Sequence, residues 1–261
     1  MKMKSLLKIF LLATLYCSII TAQNPRQSII NSGNITSWVR DDGFHDWVVS
    51  NSWNGSYPKG INVGVIFSEG IIWGGLVHDG RDTVVRVAGN EYWSNNIPLT
   101  RLYRVRSDYF SNINLVDDAA DFFHKSRNQV TDEDIQTIYK QYEKDWNEWP
   151  AEEGAPFYDK NNNGIYEQDI DVPGVPGAVQ TLFIKYSDGK EFSLWKSPPI
   201  GLEVSETYWA YYPSGILSNV IFKKVNIIYK GLSSTPQMHK LTVCTFVNGL
   251  IQTSVILRMI S

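Results

Sequence analysis

Val179-Gln180-Thr181-Leu182-Phe183-Ile184-Lys185-Tyr186 opens a series of three similar runs; the others are Ile200 to Tyr212 and Asn219 to Tyr229. All three are rich in β-branched and aromatic residues, which suit a pleated, half-buried surface, so they read as strands. Pro198-Pro199 and Pro213-Ser214-Gly215 separate them. Tyr208, Trp209, Tyr211 and Tyr212 put aromatics on both faces of the middle run. That strand is either central and buried on both sides, or it presents a binding platform.

Upstream the strand pattern continues. Val63, Val65 and Phe67 alternate, and Ile71-Ile72-Trp73-Gly74-Gly75-Leu76-Val77 leads into the turn His78-Asp79-Gly80-Arg81. Thr83-Val84-Val85-Arg86-Val87 returns, completing a hairpin. Gly74-Gly75 within a strand marks a bulge or a close backbone approach. His78 reads as an exposed loop histidine. Arg101 to Arg106 alternates basic and apolar residues and reads as a solvated strand face. Asp41, Asp42, His45 and Asp46 resemble a metal cluster in composition, but read better as polar turn residues around a buried Trp38 and Trp47.

One helix interrupts the strands, over about 131–149. Thr131 caps it, Asp134 closes the capping box and Val130 can staple against Ile135. Asp132, Glu133 and Asp134 suit the positive end of the helix dipole. Ile135, Ile138, Tyr139, Tyr142, Trp146 and Trp149 recur at helical spacing and mark a core stripe rather than a sugar platform. The expected fold class is therefore mainly β: a β-sandwich-like domain with one inserted amphipathic helix and a calcium-type loop just after it.

That loop is Asp159-Lys160-Asn161-Asn162-Asn163-Gly164-Ile165-Tyr166-Glu167-Gln168-Asp169-Ile170-Asp171. Calcium takes six to eight oxygens from a flexible cage, and a D-x-N-x-N-G loop offers side-chain oxygens at alternate positions before a sharp glycine turn. Asp159, Asn161 and Asn163 fill the first three ligand places, Gly164 the turn, Ile165 a backbone carbonyl and Glu167 the ninth position. Position twelve is Ile170, where an EF-hand carries glutamate; Asp169 and Asp171 flank it, and either could close the cage. With so few carboxylates, calcium affinity is expected near the weak extracellular range, on the order of 10⁻⁴ to 10⁻³ M. The competing reading is an Asn/Gly-rich turn whose side chains cap their own backbone.

Residues 1–23 have the form of a secretory signal peptide: a head with Lys2, Lys4 and Lys8, an apolar run from Ile9 to Ile20 and a small-residue exit near Ala22. The run is short for a membrane span. Cleavage removes three lysines and takes the formal charge from −3 to about −6, which argues against nucleic acid as a partner. Cys17 lies in the signal, leaving Cys244 without a partner for a disulfide within the mature chain. Residues 24–237 are expected to form a β-rich secreted domain.

From Trp149-Pro150 through Gly154-Ala155-Pro156, the Asp159 loop and Asp171-Val172-Pro173-Gly174-Val175-Pro176-Gly177-Ala178 to Pro199-Ile200-Gly201-Leu202-Glu203, the chain resembles the N-terminal region of large uncharacterised secreted proteins of Bacteroidetes and Ignavibacteria. Those proteins often end in a type IX secretion sorting domain. The resemblance runs from about Asn34 to Gln237 and includes Asp118-Ala119-Ala120-Asp121-Phe122-Phe123. It implies export and surface attachment, and no established activity. Val179 stands where the family usually carries Asp. Residues 238–261 depart from the family. Back-translated with ordinary codon choices and read one nucleotide earlier, they can give the family's continuation through W-S-D-P-D-L-G-D, so an out-of-frame tail after a frameshift near Gln237 is expected, with loss of the sorting domain. His239 and Cys244 then carry no functional weight.

The function expected is a non-catalytic secreted or cell-surface structural or adhesion module stabilised by Ca2+, with an unknown cell-surface or glycan ligand. A glycan-binding module is the alternative suggested by nine Trp and fourteen Tyr. A secreted hydrolase is less favoured, because Glu152 and Glu153 are adjacent rather than facing across a cleft. No G-x-S-x-G or H-E-x-x-H occurs.

Overall fold

The computed structural model describes residues 26–47, 54–60, 64–78, 84–89, 102–111, 113–188, 196–232, 240–248 and 254–257. The signal-peptide segment, Trp93, and the Asp79-Gly80-Arg81 turn lie outside these residues. In chain order the N-terminal strands are β1 (Gln27–Ile30), β2 (Ser37–Arg40), β3 (Phe44–His45), β4 (Gly55–Ser56), β5 (Gly64–Ile66), β6 (Glu69–His78), β7 (Val84–Gly89) and β8 (Tyr103–Arg106). Helices α1 (Val116–Phe123) and α2 (Asp132–Asn147) follow, then β9 (Phe157–Tyr158), β10 (Val172–Pro173), β11 (Gln180–Ser187), β12 (Leu202–Ala210), β13 (Ile221–Tyr229), β14 (Lys240–Asn248) and β15 (Ser254–Leu257).

The fold is mainly β and sandwich-like. One sheet has the order β15-β13-β12-β11-β8; the other runs β14-β6-β3, with β7 also paired to β6. Ile71, Trp73 and Val77 from β6 meet Leu182, Ile184, Leu202, Val204, Val225 and Ile227 in one buried cluster between the sheets. The helices cover part of the opposite face of the five-stranded sheet, where Ile138, Tyr142 and Trp146 pack against Val105 and Phe183. All eight residues of β11 are buried because it has a layer on each side.

Helix α2 forms where its apolar stripe and caps place it. Thr131 accepts from the Asp134 amide at 3.2 Å, and the Asp134 carboxylate accepts from the Thr131 amide at 2.8 Å. Trp149 lies beyond the helix but remains in the same core. The expectation of one helix is too few. Helix α1 is only eight residues long, and its buried positions are Asp118, Ala119 and Ala120.

Two readings, of Trp47 and of Arg104, are corrected. Trp47 is 47% exposed and stacks on Phe44, whereas Trp38 is buried as expected. Val65 and Phe67 face outward from β5 and its exit, so their alternation marks an exposed face. Arg104 does not belong to a solvated face: it is 1% exposed and paired with Asp118. The β6–β7 hairpin forms, and β14 carries a register shift between Thr242 and Cys244, opposite Leu76 and Gly75. The segment read as an out-of-frame tail supplies β14, antiparallel to β6, and β15, parallel to β13. The reading frame of its codons is decided on the nucleotide sequence.

Among the described residues, no helix is long and apolar enough to cross a membrane.

Candidate functional site

The Asp159–Asp171 loop is the connection between β9 and β10, which pair through Tyr158 with Val172 and Phe157 with Pro173. Asp171 is 3% exposed and braces the loop from inside: its carboxylate accepts from the Lys160 amide at 3.0 Å and the Glu167 amide at 2.8 Å. Tyr166 packs on Phe157 and joins the helix core. Burial, with the Asp171 charge nearby, pushes the Tyr166 hydroxyl up to about 12. Gln168 donates to Asn147 at the end of α2 at 3.1 Å. The loop is therefore anchored on three sides while its tip stays exposed.

At that tip four of the seven predicted ligands come together: Asp159, Asn161, Asn163 and Glu167. Asn161 and Asn163 each donate from Nδ2 to Glu167 Oε2 at 2.6 Å. Asp159 accepts from the amides of Asn163 at 3.2 Å and Gly164 at 2.7 Å. Asn161 Oδ1 accepts from the Asn163 amide and Asn163 Oδ1 from the Ile165 amide, at 3.2 and 2.8 Å. Gly164 has φ +77°, the left-handed region that the turn was expected to need. Glu167 faces the Asn161 and Asn163 amides, and of the two acids that could close the cage Asp171 ties the ends of the loop. Asp169 is exposed and makes no hydrogen bond among the described residues. Val179 pairs instead with Ser107 and Ala210 through its backbone.

The ring thus holds two carboxylates, Asp159 and Glu167, and two carboxamides, Asn161 and Asn163. Among the described residues, no group of three or more His, Cys, Asp or Glu side chains is placed to hold a metal. An asparagine-rich loop has fewer of those residue types by composition.

Among the described residues, two ionisable networks lie in the interior. In the first, Lys223 Nζ bridges Glu69 Oε1 at 2.7 Å and Glu206 Oε1 at 2.8 Å, with Tyr186 and Tyr208 donating to Glu206. His45 Nδ1 accepts from the Arg40 amide, so the ring proton belongs on Nε2, 2.7 Å from Glu206 Oε2. That contact is electrostatic, too far off line to make a straight hydrogen bond. Burial would raise the Glu206 pKa, but Lys223 and His45 overcome it and hold the carboxyl well below the usual range. In the second network, Arg104 pairs with Asp118, Tyr142 donates to Asp118 at 2.5 Å, and Gln180 donates to Tyr142 at 2.8 Å. Both networks are sealed from solvent and join elements distant in sequence.

Asp46, at φ +57°, accepts from the Trp38 amide at 2.7 Å and contacts Ser37 Oγ at 3.0 Å. Burial pushes its carboxyl up to about 7. The folded chain therefore holds a proton there between about pH 4 and pH 7 that the unfolded chain has released, and stability falls as pH rises through this window. The loss is at most on the order of 4 kcal/mol. Asp46→Asn keeps both contacts and tolerates the left-handed backbone. Urea unfolding should find the variant close to the parent near pH 4 and more stable near pH 8. An equal difference at both pH values would contradict the assignment.

The chain matches no family model, no curated protein and no solved structure.

Neither interior network was read as such from the sequence, though both leave a mark there. Glu206 sits among the inward positions Leu202, Val204, Tyr208 and Ala210, and Lys223 shares a face with Val225 and Ile227. A charge in phase with a buried alternation calls for a buried partner. Of the nominated acids, Glu153 pairs with Lys185 at 2.7 Å and Glu152 is exposed.

Proposed function

We propose that the chain is a non-catalytic, exported surface or adhesion module whose Asp159–Asp171 loop binds one structural Ca2+. The supporting observation is the convergence of Asn161 and Asn163 on Glu167 at the exposed tip of an anchored loop. A half-turn of either amide exchanges Nδ2 for Oδ1 and turns a donor to Glu167 into an oxygen ligand. The hydrogen bonds from the Asn163 and Ile165 amides are lost in that exchange, but both residues are exposed and water can replace them. Asp159, Asn161, Asn163, Glu167 and the Ile165 carbonyl then supply the hard oxygen donors that calcium takes. Asp171 serves as the brace, so the ion's effect reaches the β9–β10 pair and the helix core. The signal-like N-terminus and the acidic balance support an exported protein that does not bind nucleic acid.

Thermal unfolding with calcium and with chelator tests the reading. With a dissociation constant on the order of 10⁻⁴ to 10⁻³ M, about 10 mM calcium should add about 1.4–2.7 kcal/mol. That is a rise of roughly 3–10 °C for a domain of this size. Asp159→Ala should abolish the rise. No rise in the parent chain, or an equal rise in the variant, would remove the structural ion.

A further inference from the structure

Among the described residues, the helices pack on β8 and leave the outer face of β12 and β13 lining a cleft. There the sheet forms the floor of a cleft of about 500 Å³, within the range of ligand sites. Ser205, Thr207 and Trp209 of β12 and Asn226 of β13 line the floor, and Pro156 and Pro176 stand on the wall beside it. We propose that this cleft binds a segment of neutral polysaccharide. The inference rests on the reading of an exported adhesion module and names its ligand class; it does not require the calcium ion.

The chemistry follows from what the floor combines. A pyranose ring has apolar C–H faces and a hydroxyl rim, so it is recognised by an aromatic surface beside neutral hydrogen-bonding groups. Trp209 supplies the aromatic surface. It is only half-buried, and its cross-strand partner Phe222 stacks on it at 5.4 Å with the ring planes 11° apart. Tyr211 meets the same Phe222 edge-on at 5.8 Å, so the indole is held by packing before any ligand arrives. Ser205, Thr207 and Asn226 provide two hydroxyls and an amide that can donate and accept.

Charge disfavors an ionic ligand. Lys185, nearby on the same face, is bound to Glu153 and Glu203 at 2.7 Å each, and Glu203 also accepts from Lys230 at 2.6 Å. These charges satisfy one another. Lys224 is the one charged residue that lines the cleft among the described residues, and it is exposed. A single solvated ammonium contributes little to an anion, whereas the aromatic and neutral polar lining suits uncharged sugar along the groove.

The test is affinity electrophoresis of the full chain through gels containing xylan, galactomannan or mixed-linkage β-glucan. At least one should retard it. Trp209→Ala should weaken that retardation about tenfold or more, and Asn226→Ala should weaken it severalfold. Trp47→Ala, which removes an exposed tryptophan elsewhere, should leave it unchanged. Retardation by none of the three, or equal behaviour of the Trp209 and Trp47 variants, would overturn the proposal. Melting curves of the same samples with calcium confirm folding and report the loop separately. Sugar retardation without a calcium response would support the cleft while removing the metal reading.

Discussion

Lys223→Met is expected to destabilise the folded chain by about 3–5 kcal/mol. Lys223 is 6% exposed and its ammonium is paired with two carboxylates, Glu69 and Glu206, both buried. Burial alone would lower its pKa, but those carboxylates raise it, so the side chain is charged throughout the ordinary pH range. Methionine preserves much of the volume and removes the charge, leaving two acids facing each other between the sheets. One or both must then take up a proton or draw in water. Against a typical total of about 5–15 kcal/mol, this loss is large. Changing Glu69 and Glu206 to Gln as well should recover much of it, because the uncompensated charge causes the damage. Urea unfolding of the single and triple variants decides the matter; a single-variant loss below about 1 kcal/mol would show that the cluster is hydrated or rearranged.

Arg104→Met should carry a cost of similar size, about 3–5 kcal/mol, and it should act first on helix docking. The Arg104 guanidinium pairs with Asp118 of α1, donates to Asn31 Oδ1 at 3.2 Å and lies over the Tyr142 ring of α2 at 4.7 Å. Burial would raise the Asp118 pKa, but Arg104 and the Tyr142 hydroxyl hold it below the usual carboxylate range. Removing the guanidinium leaves a buried carboxylate with neutral donors and with Arg106 at 3.9 Å. Hydrogen exchange should show α1 losing protection before the sheets. Arg104→Lys should recover less than half the stability, since an ammonium cannot reproduce the planar fork or its ring contact. Full recovery by lysine would reduce the role of Arg104 to that of a point charge.

These networks also explain what the sequence made legible. The strands from Val179 to Tyr229 and helix α2 were readable because their apolar periods match the surfaces they bury. The capping box at Thr131 was readable because both partners lie within one turn. The loop at Asp159 was readable for the same local reason: its alternating donors and Gly164 fall within a few residues. Arg104 was misread because its partner Asp118 lies fourteen residues away and becomes its neighbour only when α1 folds over β8. Alternation likewise could not say that Val65 and Phe67 face outward. Their exposure depends on which sheet covers β5, and that is a property of the whole topology.

Isothermal titration of the chelator-treated chain with calcium decides whether the asparagine-rich tip takes up the ion. One ion should bind per chain at a dissociation constant on the order of 10⁻⁴ to 10⁻³ M, with binding lost in Asp159→Ala and weakened in Glu167→Gln. Heat indistinguishable from dilution, or a binding curve unchanged by Asp159→Ala, would mean that the loop is only a hydrogen-bonded turn.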